Sequence, residues 1–281
     1  MEIAQTKMDA QSGSIGRILL EEGKIQAEDA DRILRTQKEL NLRFGDAAVK
    51  LGLVTEDDIL RAVSQQFDYS SLPADSNLID SEVVAAFRSH SKEIEAFRTL
   101  RSQLALRWFA ENKSLVVSAS TAGQGSSHVS ANLAVLFSQL GEKTLLIDAD
   151  MRTPRMHVLF KVANKQGLSD MLASRAGTEA IQTIEAFDNL SVLTAGTSTP
   201  NPLELLSRNQ FWHEIEQDFD VIIIDTPPAL ESADAQSIVA KVGGALIVAR
   251  NNEAKLADIE EVQSQFLIAG AEVVGVVLND F

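Results

Sequence analysis

The chain has 281 residues, 45% hydrophobic and 23% charged, enough for two compact domains with the makeup of an ordinary globular protein. Its net charge of -15 repels nucleic acid and anionic lipid, and no dense Lys/Arg run overrides that field. With no cysteine, disulfide frameworks and thiolate metal sites are excluded.

The chain opens on a polar stretch, Met1 to Ser14, without the apolar core of a secretory signal. Apolar runs such as Val221 to Ile224 and Val273 to Leu278 are too short to span a bilayer. The expectation is a cytoplasmic chain with no direct membrane insertion. An internal repeat comes next. Gly16, Gly23, Arg32 and Gln37 recur 29 residues later as Gly45, Gly52, Arg61 and Gln66. Each copy predicts a short apolar helix, a glycine stop in the left-handed conformation, and a second helix opened by acids: Glu28 and Asp29, then Glu56 to Asp58. A helical module is expected over 1–72, followed by a linker of little structure over 73–91.

From residue 92 the pattern changes. A helix is expected from Glu93 to Phe109, then strands at Leu115–Ser118, Thr144–Asp148, Leu190–Thr194, Val221–Asp225, Ala245–Ala249 and Val273–Leu278, separated by helices. Continuously apolar strands alternating with helices argue for an α/β fold, a mostly parallel sheet flanked by helices. Ligands of such sheets sit at the carboxyl ends of the strands.

The chemistry gathers there. After the first strand comes a Ser/Gly turn containing Gly123, Gln124, Gly125, Ser126 and Ser127, and then a helix from His128 to Leu140. Successive backbone N–H groups in such a turn point at an anion, the helix dipole adds to the attraction, and Ser127 sits where a hydroxyl holds Mg2+. The fit to a P-loop has one departure. Ser126 stands where a lysine normally neutralises the terminal phosphates. Losing such a donor from a transition state costs on the order of a hundredfold or more in rate, so turnover suffers more than binding. Asp148 and Asp150 end the second strand and Asp225 ends the strand 221–225, which brings three carboxylates to the edge that carries the turn. Carboxylates so placed repel one another unless a cation is bound, which points to a Mg2+–polyphosphate site.

Residues 93–280 resemble the cytoplasmic domain of bacterial tyrosine kinases, the autokinases paired with chain-length-determinant membrane proteins. The resemblance rests on Glu95-Ala-Phe-Arg98-Thr-Leu-Arg101, the stretch Leu145 to Arg155, Gly167 to Asp170, Asn201 to Leu206 and Val221 to Pro228, in the family's order. It implies a P-loop NTPase-like fold, ATP/ADP and Mg2+ as ligands, Asp148 as the activator of the hydroxyl nucleophile, and Asp150 and Asp225 on the metal. It implies nucleotide contacts from Gly123 through His128, and a homo-oligomeric ring built through Glu95, Arg98 and Arg101. It also implies a Wzz-type chain-length-determinant membrane protein as partner, recruiting the chain to the inner face of the membrane. The N-terminal module resembles that of secretion and pilus ATPases at Gly16, Leu19, Gly23, Gln37, Arg43, Gly45, Gly52 and Gln66. Some of those bind cyclic di-GMP, but Ser14 replaces the first motif's arginine, which favours a docking module. The combination is similar to EpsG-type homologues of exopolysaccharide operons.

The family modifies a C-terminal tyrosine cluster, whereas the one tyrosine here is Tyr69, so any substrate tyrosine is expected on another protein. Three functions remain: a tyrosine kinase of exopolysaccharide polymerisation, a nucleotide-sensing scaffold for the membrane protein, and a MinD/ParA-like positioning ATPase. The last lacks the early lysine of its loop. Trp108, Phe211 and Trp212 are expected in the core or at a subunit contact, and His157 and His213 are expected to be structural.

Overall fold

Repetition in the sequence becomes repetition of the backbone in the computed structural model. It describes residues 15–40, 42–59, 62, 71–73, 75–87, 91–207 and 210–280, without the side chains of Glu21, Gln210 and His213. The expectations placed on Ser14, Arg61, Gln66 and Tyr69, and on the His213 side chain, lie outside the described residues. Two compact units divide at Ser71/Leu72.

In the first unit, α1 (Ile15–Glu21), α2 (Ala27–Leu40) and α3 (Phe44–Lys50) precede a further helical stretch at 56–59. Gly23 and Gly52 both adopt φ of +68°, the left-handed stop expected of them. The cap bonds repeat as well: Lys24 N donates to Leu19 O at 2.9 Å, and Leu53 N to Ala48 O at 3.2 Å. Ile18, Leu19, Ile33, Ala47, Ala48 and Val54 form one shared core, because neither copy alone can cover its apolar face. Asp58 ties the copies together. It accepts from Thr55 N (2.9 Å) and Thr55 Oγ1 (2.7 Å) and pairs with Lys24 at 3.0 Å. Burial opposes ionisation there, yet the Thr55 and Lys24 contacts hold the carboxyl below its usual range. That contribution is present above the unfolded carboxylate range near pH 4 and fades as pH falls below it. Asp58→Ala should therefore destabilise this unit by about 1–2 kcal/mol at pH 7 and by progressively less below about pH 4. Hydrogen exchange of the α1 and α2 amides in the full chain reads the difference.

The second unit is a seven-stranded sheet of β1 (Ser114–Ala119), β2 (Thr144–Asp148), β3 (Gln182–Thr183), β4 (Leu190–Leu193), β5 (Val221–Asp225), β6 (Gly244–Arg250) and β7 (Glu272–Asn279), in the order β3-β4-β2-β5-β1-β6-β7. Every pairing is parallel except β3 with β4. The two-residue β3 has no sequence signature, since two residues cannot show a period. β1, β2 and β5 are buried along their whole length, because apolar side chains alternate between two covered faces. Leu115, Val117 and Ile223 meet one core with α4 (Val84–Phe87), α5 (Lys92–Arg107) and α6 (Ser126–Ser138). Val116, Ile222 and Ile224 meet the other with α7 (Asp234–Val242) and α8 (Leu256–Ile268).

The linker expected over 73–91 is corrected in part. Ile79, Val83, Val84, Ala85 and Ala86 are buried in the first of those cores, and Ala85 N donates to Asn132 Oδ1 on α6 at 2.8 Å. Its Ser, Pro and Asp residues suggested a spacer, but the short apolar run between them finds a face of α6 to cover. Trp108 and Trp212 are buried and Phe211 partly so, as core residues.

Candidate functional site

β2, β5 and β1 are neighbours in the sheet, so the loops leaving their carboxyl ends emerge side by side. The turn after β1 is bent by Gly123 (φ +82°) and Gly125 (φ +95°), values that side-chain-bearing residues rarely take. Gln124 is buried inside the turn, its amide Nε2 donating to Ser120 Oγ (2.9 Å) and Thr121 Oγ1 (2.7 Å), so its side chain shapes the loop. Asn279 Nδ2 at the end of β7 holds Gln124 O at 3.1 Å. Within this frame the N–H groups of Gly123, Gln124, Gly125, Ser126 and Ser127 have no acceptor among the described residues. Five successive open donors in a glycine-bent turn at a helix start are the makings of an anion nest.

The acids lie on the adjoining strands. Asp148 and Asp225 are directly paired across β2 and β5. Asp225 is fully buried and accepts from Ser127 Oγ (2.7 Å) and Ser130 Oγ (3.1 Å). Burial, then the neighbouring Asp148 charge, push its carboxyl well above the usual range. Asp148 accepts backbone N–H groups of Arg155 (2.9 Å), Met156 (2.9 Å) and Asp150 (3.2 Å), yet burial still pushes it up to about 7. Asp150 folds its own loop, accepting from Arg152 N (3.0 Å), Thr153 N (2.9 Å) and Thr153 Oγ1 (2.7 Å). Two buried carboxyls whose ionisation burial opposes, one of them bonded to Ser127 at the end of a row of unused amides, suit a magnesium polyphosphate in both charge and donor set. Among the described residues no three His, Asp or Glu side chains form a metal cage by themselves. Mg2+ ordinarily takes one or two carboxylates and leaves its remaining positions to phosphate and water.

The structure thus brings Gly123 to Ser127 together with Asp148, Asp150 and Asp225. Two expected residues are placed differently. The His128 side chain is turned to α5, with Nε2 3.7 Å from Glu93 Oε1 and its ring 5.6 Å from that of Phe97, so it packs between helices instead of facing the loop's mouth. Arg101 is buried, with Nη1 donating to Leu136 O at 3.2 Å, so of the proposed contact set Glu95 is exposed and Arg98, partly buried, pairs with it at 2.6 Å. A spacing of three keeps residues on one helix flank, but it does not say where that flank meets α6. Sequence reasoning missed Ser130, Glu231 and Asp234. Ser130 lies one turn after Ser127 on the same helix face, a signal that was there to read. Glu231 Oε1 accepts from Ala122 N at 2.9 Å, and buried Asp234 holds Arg152 Nε at 2.9 Å. Both depend on how the chain returns after β5.

Comparison with known proteins agrees with this geometry. A family model described as ParA: NUBPL iron-transfer P-loop NTPase matches residues 110–280. The iron transfer in that description is said of the model; to this chain the match brings the P-loop NTPase fold. The putative tyrosine-protein kinase CapB of Staphylococcus aureus is 36% identical over 190 residues, covering 66% of this chain and 83% of that protein. The kinase domain of the Escherichia coli tyrosine kinase ETK superposes with a TM-score of 0.67 at 31% identity, over 75% of this chain and 81% of that one. The septum site-determining protein MinD of Pyrococcus horikoshii, solved with Mg-ADP, is similar at a TM-score of 0.51 and 26% identity, over 60% of this chain and 70% of that one. Among the described residues no helix is long and apolar enough to cross a membrane. The parallel sheet, the loop geometry and the length of the CapB match lead to one conclusion: this chain belongs to the bacterial tyrosine-protein kinases, within the ParA-type P-loop NTPases.

Proposed function

We propose that the second unit binds ATP and ADP with Mg2+ and transfers a phosphoryl group to tyrosine on another protein, regulating exopolysaccharide polymerisation and chain length. The observation that carries this reading is the set of open amides from Gly123 to Ser127, joined by Ser127 Oγ at 2.7 Å to Asp225, which pairs across the sheet with Asp148. The amides cradle phosphate oxygens. Ser127 and Asp225 would hold the metal, with Asp150 a further candidate beside them. Bound Mg2+ would neutralise charge between the phosphates. Asp148, with a carboxyl near 7, is tuned to take the proton of an incoming tyrosine hydroxyl. A Wzz-type chain-length-determinant protein, recruiting the chain to the inner membrane face, and a ring of subunits through Glu95 and Arg98 belong to the same proposal. For the first unit we propose protein docking. The family match begins at residue 110 and says nothing of that unit. Calorimetry with cyclic di-GMP separates docking (no heat of binding) from a ligand site.

Incubation with γ-labelled ATP, Mg2+ and candidate partner domains, followed by phospho-amino-acid analysis, is the direct test. Phosphotyrosine on a partner is the expected product. Nucleotide binding without transfer would favour the second reading, a nucleotide-sensing scaffold, for which Ser126 at the lysine position is the specific support. On the kinase reading, Ser126→Lys should raise ATP turnover on the order of a hundredfold and nucleotide affinity by much less. Unchanged turnover would show that the missing cation is not what limits the chemistry.

A further inference from the structure

The open amides of the phosphate loop stop at Gly123. One residue earlier an anion is already in place: Ala122 N donates to Glu231 Oε1 at 2.9 Å. Glu231 reaches the loop from the segment after β5, six residues past Asp225. That segment is fastened to the end of β1, with Ala229 N donating to Ala119 O at 2.8 Å and Leu230 N to Ser120 O at 3.2 Å. The carboxylate is therefore presented by a fixed backbone, while its side chain stays exposed.

Which phosphate it would meet is set by the metal side of the site. Ser127 Oγ and Asp225 Oδ2, 2.7 Å apart, mark where Mg2+ fits. In phosphoryl-transfer sites the metal bridges the β- and γ-phosphates, so the terminal phosphate belongs on the Asp225 side. Glu231 stands on the segment that leaves the Asp225 strand and crosses to the end of β1, where it meets the start of the same loop. The same loop has Ser126 where a lysine would reach the β- and γ-phosphates. The terminal phosphate thus loses a cation and gains a carboxylate, and Coulomb repulsion falls most heavily on the nearest charge.

We propose that Glu231 is a specificity-determining residue that favours nucleoside diphosphate over triphosphate, its carboxylate occupying the Ala122 amide that a terminal phosphate would otherwise take. The inference rests on the reading of this unit as a magnesium-nucleotide site. Because Glu231 is exposed, a triphosphate can still displace it into water, at the cost of the lost contact and of a like charge nearby. The penalty should be about tenfold in affinity.

The test is calorimetric binding of Mg-ADP and of a non-hydrolysable Mg-ATP analogue to the full chain, to Glu231→Gln and to Glu231→Ala. The wild-type chain should prefer the diphosphate by about tenfold. Both variants should bind the triphosphate analogue about tenfold more tightly, with the diphosphate changed less than about twofold. An unaltered preference in both variants overturns the proposal, as does a change shared equally by the two nucleotides. If none of the three proteins binds either nucleotide, the nucleotide reading itself falls, and this proposal with it.

Discussion

Replacing Asp225 with asparagine should make the empty protein more stable while removing most of its affinity for magnesium nucleotide. The two effects share one cause. Asp225 is fully buried beside Asp148, so in the empty chain it must either carry a charge without a counterion or hold a proton that the unfolded chain has released. Asparagine keeps the size and buries no charge; its carbonyl oxygen accepts from one of Ser127 and Ser130, which now bind separate carboxylate oxygens, and its NH2 donates to the hydroxyl oxygen of the other. The gain should be on the order of 1–2 kcal/mol at pH 8, measured by urea unfolding. The pH dependence has a definite sign. A carboxyl raised in the folded state, as Asp148 is to about 7, binds protons there that the unfolded chain has released, so stability falls as pH rises from about 4 through 7. In Asp225→Asn that decline should be shallower, because one of the two coupled carboxyls is gone. Affinity for Mg-ADP should drop on the order of a hundredfold, since a metal ligand has lost its charge. A variant that gains stability yet binds Mg-ADP as before would sink the assignment of Asp225 to the metal.

Gly244→Ala should cost the second unit about 3 kcal/mol. A Cβ built at Gly244 would lie 2.1 Å from Trp108 Cζ2 and 2.3 Å from its Cη2. The indole cannot step aside. It is buried, and its Nε1 donates to Ser114 O at 2.9 Å, where β1 begins. β6 would have to move away from β1, and the phosphate loop hangs from the far end of β1. Urea midpoints of Gly244→Ala, alone and with Trp108→Phe, check the cause. In the Trp108→Phe background the alanine should cost much less, because the smaller ring leaves room. Costs that simply add would place the strain elsewhere.

Much of the site is legible in the sequence because it is built from local signals. Gly123 and Gly125 between an apolar strand and a helix announce a phosphate loop, and aspartates closing apolar runs announce strand ends at the ligand-binding edge. The left-handed turns at Gly23 and Gly52 are readable for the same reason: a repeat shows which glycine ends which helix. Charge spacing on α5 is a weaker guide. Glu95 and Arg98 pair along the helix, Arg98 partly buried, whereas Arg101 has an interior acceptor supplied by α6, a helix some thirty residues away.

Taken alone, the sequence determined the α/β class, six of the seven strands, the helical repeat and the three acids, since periods of 2 and 3.6 and the backbone demands of glycine are properties of neighbouring residues. Only the tertiary structure decided that 79–86 is core, that His128 faces α5, that β3 closes the sheet edge, and that Asp234 and Glu231 reach Arg152 and the phosphate loop. Each of these depends on which distant segment arrives at a given surface, and burial and hydrogen-bond satisfaction settle that question after the chain has folded.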